Sequence, residues 1–153
     1  MNTSVAGGIL ALGDSHGGAI EECMEILQSE KTADEIVSDY LEKSDKIPGI
    51  GHKVYSDEDP RAQKMLEKAE ELNLAGENVE KMKEIQSVFA ERKVDLVMNV
   101  DGAIAAVMSD LDWDPELGKG FFIIARTPGL VAHVREEIDE ENFRRENGKY
   151  VGD

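Results

Sequence analysis

Apolar side chains recur at helical spacing along most of the chain, in segments separated by short polar or glycine-rich loops. Ile20, Cys23, Met24 and Leu27 lie three or four positions apart, or side by side, as on one face of an α-helix. The same spacing returns in the segments 32–46, 60–72, 79–90, 103–111 and 116–134. The β-branched run 94–100 is instead typical of a strand or an extended segment. The pattern therefore predicts an all-α fold.

Capping residues mark where several of the predicted helices begin and end. Thr32 and Glu35 have the spacing of a capping box. Asp59 and Pro60 suit the N-cap and the first position of the next helix. Pro128 predicts a kink or break in the last helix, because proline lacks an N–H and clashes with the preceding turn. These signals divide the chain into helices joined by short loops.

The composition is that of a globular protein of about one domain. Of the 153 residues, 41% are hydrophobic and 33% are charged, which is enough to bury a core. The net charge of −16 disfavours nucleic acid and anionic membranes as partners, because both would be repelled. The chain has neither a charged-then-apolar leader nor an apolar run long enough to span a membrane. The single cysteine, Cys23, suits a reducing compartment and a place in the core, so a cytoplasmic protein is expected.

Candidate chemistry is concentrated where loops meet predicted helices. His16, His52 and Asp101 each lie directly beside a glycine, near the start of a predicted helix. Histidine can exchange a proton near neutral pH. Arg61 follows on the first turn of a helix. Arg126 is the only charge in an apolar stretch, and a buried charge there would need a partner.

These residue types together suit carbon–carbon chemistry on a carboxylic acid. A carboxylate can take a proton from a carbon next to a carbonyl, and imidazoles can stabilise an enol oxygen or polarise a second carbonyl. Guanidiniums bind carboxylates as bidentate pairs. Each residue also has a simpler interpretation. His16 and His52 would be surface or capping histidines, Asp101 an N-cap, and Arg61 a partner of Glu58 or Asp57.

Five short motifs in order resemble the citrate synthase superfamily, over nearly the whole chain. They are Ser15-His16-Gly17-Gly18-Ala19, Pro48 to Tyr55 with Asp59-Pro60-Arg61, Asn99-Val100-Asp101-Gly102, Ala125-Arg126-Thr127-Pro128-Gly129 and the ending Arg144-Arg145 with Tyr150-Val151-Gly152. The resemblance implies an all-α citrate synthase-like fold. It also implies an enzyme that makes or cleaves a carbon–carbon bond between acetyl-CoA and oxaloacetate.

The resemblance also implies a role for each candidate residue. His16 would stabilise the enol of acetyl-CoA, His52 would protonate the carbonyl oxygen of oxaloacetate, and Asp101 would deprotonate the acetyl methyl group. Arg61 and Arg126 would bind the dicarboxylate. Arg145, with Arg144 as its competitor, would reach a neighbouring site across a dimer interface. The coenzyme A site would be lined by Gly17, Gly49, Ile50, Gly51 and Lys53.

Within the superfamily, 14–16 and 99–106 resemble citryl-CoA lyases more than citrate synthases. The lyase runs the same chemistry backwards, from citryl-CoA to acetyl-CoA and oxaloacetate, so the catalytic groups leave the direction open. Lys53 is a departure, because an arginine usually follows this histidine. The resemblance implies a coenzyme A thioester as substrate and no separate cofactor. No metal is expected, because close paired ligands are missing from the sequence.

The resemblance places residues 17–118 in a small domain, with 1–16 as the end of a buried large-domain helix and 119–153 as a large-domain segment and tail. Family members carry a long helical N-terminal portion with a further substrate-binding histidine. The chain would therefore be a fragment, one subunit of a split enzyme, or a non-catalytic module that binds coenzyme A or assembles with a separate N-terminal half. A homodimer or such a pairing is expected.

Overall fold

A computed structural model describes residues 1–13, 16–43, 46–92, Val94 and 96–139. Within them the chain forms seven helices, and the predicted all-α fold is confirmed. They are α1 (Asn2–Leu10), α2 (Ala19–Leu27), α3 (Ala33–Lys43), α4 (Pro60–Glu71), α5 (Glu77–Glu91), α6 (Val100–Asp110) and α7 (Glu116–Asp139). Just before α6, Asn99 has an extended backbone, and Met98 forms an isolated antiparallel bridge with Ile50.

Helix α6 is the centre of the core and packs against α2, α4 and α5. Its buried positions are mostly small, and Ala103, Ala105 and Ala106 are fully buried. Small side chains let neighbouring helices approach closely, so α6 can contact three of them at once. Cys23, on α2, lies in the same core, as its place in the apolar pattern predicts.

The predicted caps of α3 and α4 are present. The Thr32 hydroxyl accepts from the Glu35 N–H at 3.3 Å, and the Glu35 carboxylate accepts from the Thr32 N–H at 2.8 Å. The Asp59 carboxylate accepts from the Arg61 N–H at 3.0 Å, with Pro60 as the first residue of α4. Each cap satisfies backbone groups that a helix terminus leaves unpaired, so the sequence alone locates these two helix starts.

Helices α1 and α7 lie against each other beside this core. Gly8 on α1 lets Leu130 of α7 approach, because a Cβ at Gly8 would lie 2.8 Å from its side chain. Gly118 on α7 packs in the same way against Ile20 of α2. No residue of α1 is buried by the contacts that this chain makes, and its burial in a large domain stays a prediction.

The predicted break at Pro128 is also wrong, because α7 continues through it as one 24-residue helix. Proline removes only the N–H that would bond the carbonyl four residues back, and the rest of the ladder remains. The Thr127 hydroxyl adds a bond of 2.7 Å to the carbonyl of Ile123. None of the described helices combines the length and apolar character needed to cross a bilayer.

Candidate active site

Two loops distant in sequence pair to form the floor of the candidate site. The Gly51 N–H donates to the Val97 carbonyl at 2.7 Å, and the Asn99 N–H donates to the Gly49 carbonyl at 3.0 Å. The Asn99 side-chain amide also donates to the Gly51 carbonyl at 2.9 Å. These bonds hold the loop that carries His52 against the segment that leads into α6.

A close approach of two glycines completes this pairing. Gly49 has φ +85°, and a Cβ there would lie 2.7 Å from the Cα of Gly102 and 2.9 Å from the Cys23 sulfur. A Cβ at Gly102 would lie 2.5 Å from the Gly49 carbonyl oxygen. Only glycine fits at either position, because the two backbones touch. The contact seats the histidine loop directly on the first turn of α6.

His52 lies at the edge of this floor with both ring nitrogens engaged. Its Nδ1 accepts from the backbone N–H groups of Val54 and Tyr55 at 3.0 and 3.1 Å. A neutral imidazole with Nδ1 as acceptor carries its proton on Nε2. Nε2 lies 2.9 Å from Nη2 of Arg61, which is also a donor. An oxygen of a ligand bound beside these two nitrogens would lie within reach of both.

Asp59 holds Arg61 in this position. The carboxylate is only 1% exposed and accepts from the guanidinium at 3.0 Å (Nε) and 2.7 Å (Nη2). The hydrogen bonds from Arg61 are the largest cause that lowers the pKa of Asp59 to about 2. Arg61 itself is 52% exposed, so its outer face is open to a ligand. The Asp59–Arg61 ion pair thus holds the Arg61 guanidinium in place beside the N-termini of α4 and α6.

Asp101 lies on the first turn of α6 and is half-buried. Asn99 caps this turn, and its side-chain oxygen accepts from the N–H groups of Asp101 and Gly102 at 3.0 and 3.2 Å. Burial is the largest cause that raises the pKa of the Asp101 carboxyl. A carboxylate with a raised pKa is a stronger base, as proton abstraction from carbon requires.

The charges around Asp101 show that the predicted residues converge. Arg61, Arg126 and His16 lie close enough to lower the pKa of Asp101, while the buried charge of Asp59 raises it. These three side chains come from the first turn of α4, from α7 and from the loop before α2. The Asp101 carboxyl of α6 therefore lies among charged and polar groups from three other places in the chain.

Phe122 is a site residue that the sequence analysis missed. Its ring meets the His16 imidazole edge-on, with centroids 5.6 Å apart, and the Arg126 guanidinium lies 4.8 Å from its centre. Gly17, at φ +80°, makes room for it, because a Cβ there would lie 2.4 Å from the ring. Phe122 therefore orients an imidazole and a guanidinium together. The sequence indicates this contact only by spacing, because Phe122 lies four residues before Arg126 and so on the same face of the helix.

Arg126 is exposed, so the expectation of a buried charge at this position is wrong. Its guanidinium contacts the aromatic face of Phe122. Among the residues expected at a coenzyme A site, Lys53 is exposed, and Gly17 and Gly51 are partly exposed. Gly49 and Ile50 are buried in the floor. Arg144 and Arg145 lie outside the described residues.

Burial raises the pKa of the Cys23 thiol to about 12, which makes it an inert core residue.

The class defined by this fold and site is an all-helical protein in which a half-buried carboxyl with a raised pKa lies beside arginine and histidine side chains. The chain belongs to the citrate synthase family, because the family model for the citrate synthase C-terminal domain matches residues 1–146. The resemblance seen in the motifs is thus confirmed.

Named relatives agree with this assignment. The chain is 35% identical over 146 residues to citrate synthase 2 of Bacillus subtilis, covering 92% of this chain and 39% of the relative. It is 30% identical over 158 residues to the 2-methylcitrate synthase of Shewanella oneidensis, covering 99% of this chain and 42% of the relative. The chain therefore spans about two-fifths of the length of these curated relatives.

Solved structures show the same fold. The citryl-CoA lyase from Hydrogenobacter thermophilus matches with a TM-score of 0.88 and 42% identity, covering 99% of this chain and 64% of that one. The citrate synthase from Thermotoga maritima matches with a TM-score of 0.69 and 27% identity, covering 93% of this chain and 41% of that one.

Proposed function

We propose that the chain supplies the catalytic groups of a citryl-CoA lyase or citrate synthase type enzyme, which cleaves or forms the bond between acetyl-CoA and oxaloacetate. The observation that carries the proposal is the half-buried Asp101 carboxyl, with a raised pKa, among Arg61, Arg126 and His16. A base beside cations suits a reaction that creates negative charge on an enol oxygen.

In the direction of bond formation, Asp101 takes a proton from the methyl group of acetyl-CoA. The electron pair of that C–H bond moves to give an enol or enolate, whose oxygen His16 stabilises by a hydrogen bond. The enol carbon then attacks the carbonyl carbon of oxaloacetate. His52 donates its Nε2 proton to the carbonyl oxygen, which becomes the hydroxyl of citryl-CoA.

Arg61 and Arg126 bind the substrate carboxylates in this proposal. The closeness of His52 Nε2 and Arg61 Nη2, which lie 2.9 Å apart, supports it, because one oxygen of oxaloacetate bound beside the pair would be within reach of both. Coenzyme A would run along the accessible part of the glycine loops, at Gly17, Gly51 and Lys53. Gly49 and Ile50 would hold that loop in place. No resident cofactor is required, since the thioester itself activates the methyl group.

The same groups run the reaction backwards. In cleavage the citryl-CoA hydroxyl gives its proton to His52, the carbon–carbon bond breaks, and the acetyl-CoA enol takes a proton from Asp101. The higher identity to a citryl-CoA lyase, 42% against 27% for a solved citrate synthase, favours cleavage. A mass-resolved assay with citryl-CoA, and separately with acetyl-CoA plus oxaloacetate, reports substrate and direction together.

Replacing the base tests the mechanism. We expect Asp101→Asn to lower acetyl methyl proton exchange by at least ~100-fold, because the amide cannot take the proton. Exchange is measured by mass spectrometry of deuterated acetyl-CoA with an oxaloacetate analogue present. Asp114→Asn, an exposed aspartate before α7, is the control and is expected to keep full exchange. Exchange that survives in Asp101→Asn would refute the role of the base.

A second candidate function is a binding or assembly module that needs a separate N-terminal half for turnover. Apolar side chains exposed on α1 and α7 favour it, as does the chain's share of its relatives' length. The residues 17–118 would then form a small domain, with 1–16 and 119–153 joining a large one, and Arg145 would reach a partner's site. Calorimetry with acetyl-CoA and oxaloacetate discriminates, because a self-sufficient cytoplasmic enzyme must bind both.

A further inference from the structure

Asp59 is a buried carboxylate that links the two halves of the site. One oxygen, Oδ1, accepts from the backbone N–H and Nε of Arg61, both at 3.0 Å. The other oxygen, Oδ2, accepts from Nη2 of Arg61 at 2.7 Å and from the backbone N–H of Val100 at 3.1 Å. Val100 is the first residue of α6 and precedes Asp101. The same carboxylate therefore contacts the anion-binding arginine and the helix that carries the base.

We propose that Asp59 is a positioning residue that sets the distance between the Arg61 guanidinium and the Asp101 carboxyl, and so aligns the bound dicarboxylate with the base. The proposal rests on the proposed function. A capping role for α4 would use only the bond from the Arg61 backbone N–H. The hydrogen bonds from Nε and Nη2 of Arg61 and from the Val100 N–H are not needed to cap α4.

Burial makes this link rigid. Asp59 is 1% exposed, while the guanidinium that it holds is 52% exposed, so the ion pair has one fixed side and one side open to a ligand. A bidentate arginine–carboxylate pair limits the guanidinium to one plane. The same carboxylate bonds the first N–H of α6, which prevents that helix from sliding relative to α4.

The charge of Asp59 acts on the base as well. The groups that face Asp101 are Asp59 and Arg61 at the start of α4, Arg126 on α7, His16 before α2 and Cys23 on α2. Of these, Asp59 raises the pKa of Asp101, and Arg61, Arg126 and His16 lower it. Removing the negative charge of Asp59 also leaves Arg61 without its counter-ion. The loss of the negative charge of Asp59 lowers the pKa of Asp101.

The test compares Asp59→Asn with the wild-type chain in the assembly that shows turnover or methyl exchange. We expect the KM for oxaloacetate to rise and kcat to fall, each by at least ~10-fold, because a displaced guanidinium misaligns the substrate. The acid limb of the kcat profile is expected to move to lower pH. If Asp59 had only a structural role, Asp59→Asn would change neither the acid limb of the kcat profile nor the ratio of KM to kcat.

Matched variants make each outcome decisive. Asp34→Asn breaks a surface aspartate–arginine pair of 2.8 Å with Arg92, on a helix (α3) that carries none of the candidate site residues, and is expected to keep wild-type kinetics. In an Arg61→Gln background, Asp59→Asn is expected to change KM by less than about twofold, because its effect on substrate binding acts through Arg61.

Asp59→Ser keeps an N-cap without the charge and replaces Asp59→Asn if the latter does not fold. An unchanged KM and pH limb, or unfolding of both variants while Arg61→Gln folds, would overturn the inference. Activity that survives in Asp101→Asn would instead overturn the proposed function. The two failures are therefore distinguishable.

Discussion

At the scale of single residues, two carboxylates in one site are driven in opposite directions. Hydrogen bonds from Arg61 lower the pKa of Asp59 to about 2, whereas burial raises the pKa of Asp101. The first remains charged and holds a cation; the second gains strength as a base. Because the pKa of Asp59 falls from 3.8 on folding, its contribution to stability is present above pH ~4 and is lost as pH falls towards 2.

The glycine contact beneath the site gives a prediction at the same scale. We expect Gly49→Ala to lower the free energy of unfolding by roughly 2–4 kcal/mol, from the strain of φ +85° and the clash with the Gly102 backbone. Thermal and urea unfolding measure it. Gly13→Ala is the control, because Gly13 has φ +57° with open space around it, and should cost only ~1 kcal/mol. Equal losses in the two variants would mean that the Gly49–Gly102 contact adds nothing.

At the scale of helices, α6 stabilises α5 from its far end. The carboxylate of Asp110, the last residue of α6, accepts from the backbone N–H groups of Gly76, Asn78 and Val79 at 2.6, 2.7 and 3.1 Å. The N-terminus of α5 is thus capped by a residue more than 30 positions away in sequence. Helix α6 therefore carries the base at its start and anchors a neighbouring helix at its end.

Removing this cap should destabilise the whole helical core. We expect Asp110→Ala to lower the free energy of unfolding by about 2 kcal/mol or more, because several helix N–H groups lose a charged acceptor. Asp39→Ala, which removes an exposed ion pair with Lys31, should cost less than ~1 kcal/mol. Chemical denaturation of both variants is the measurement. A loss in Asp110→Ala as small as that of the control would contradict the proposed anchoring.

At the scale of the molecule, α1 and α7 present an apolar surface that the helical core does not cover. Leu10, Leu117, Phe121, Ile124, Val131 and Ile138 are exposed on these helices. The high net charge of −16 would keep such a chain soluble but does not cover this surface. A surface of this kind is typical of an interface with another chain.

Self-association through α7 is therefore a testable expectation. Ile124 is 67% exposed. We expect Ile124→Asp to weaken self-association by at least ~10-fold and to leave the stability of the single chain unchanged. Leu72→Asp is the matched control, because Leu72 is 56% exposed and follows the last residue of α4 rather than lying on α1 or α7, and it should associate like the wild type. Sedimentation over a range of concentrations measures both. A wild-type chain that stays monomeric throughout would refute the expectation.

The sequence by itself determined the features that depend on a few neighbouring residues. The capping box of Thr32 and Glu35, the start of α4 at Asp59 and the place of Asp101 at a helix mouth all follow from contacts within three or four positions. The order of the motifs also identified the family, now shown by the match over residues 1–146.

Only the tertiary structure decided what meets across the fold. It seats Gly49 on Gly102, brings Phe122 against His16, and extends the reach of Asp59 to Val100, 41 residues away. It also carries α7 through Pro128 and leaves Arg126 exposed, against the local signals. Local hydrogen bonds are encoded in adjacent residues, but convergence of distant groups depends on how helices pack around α6. For that reason the candidate catalytic residues could be named from the sequence, whereas the site that they form could not.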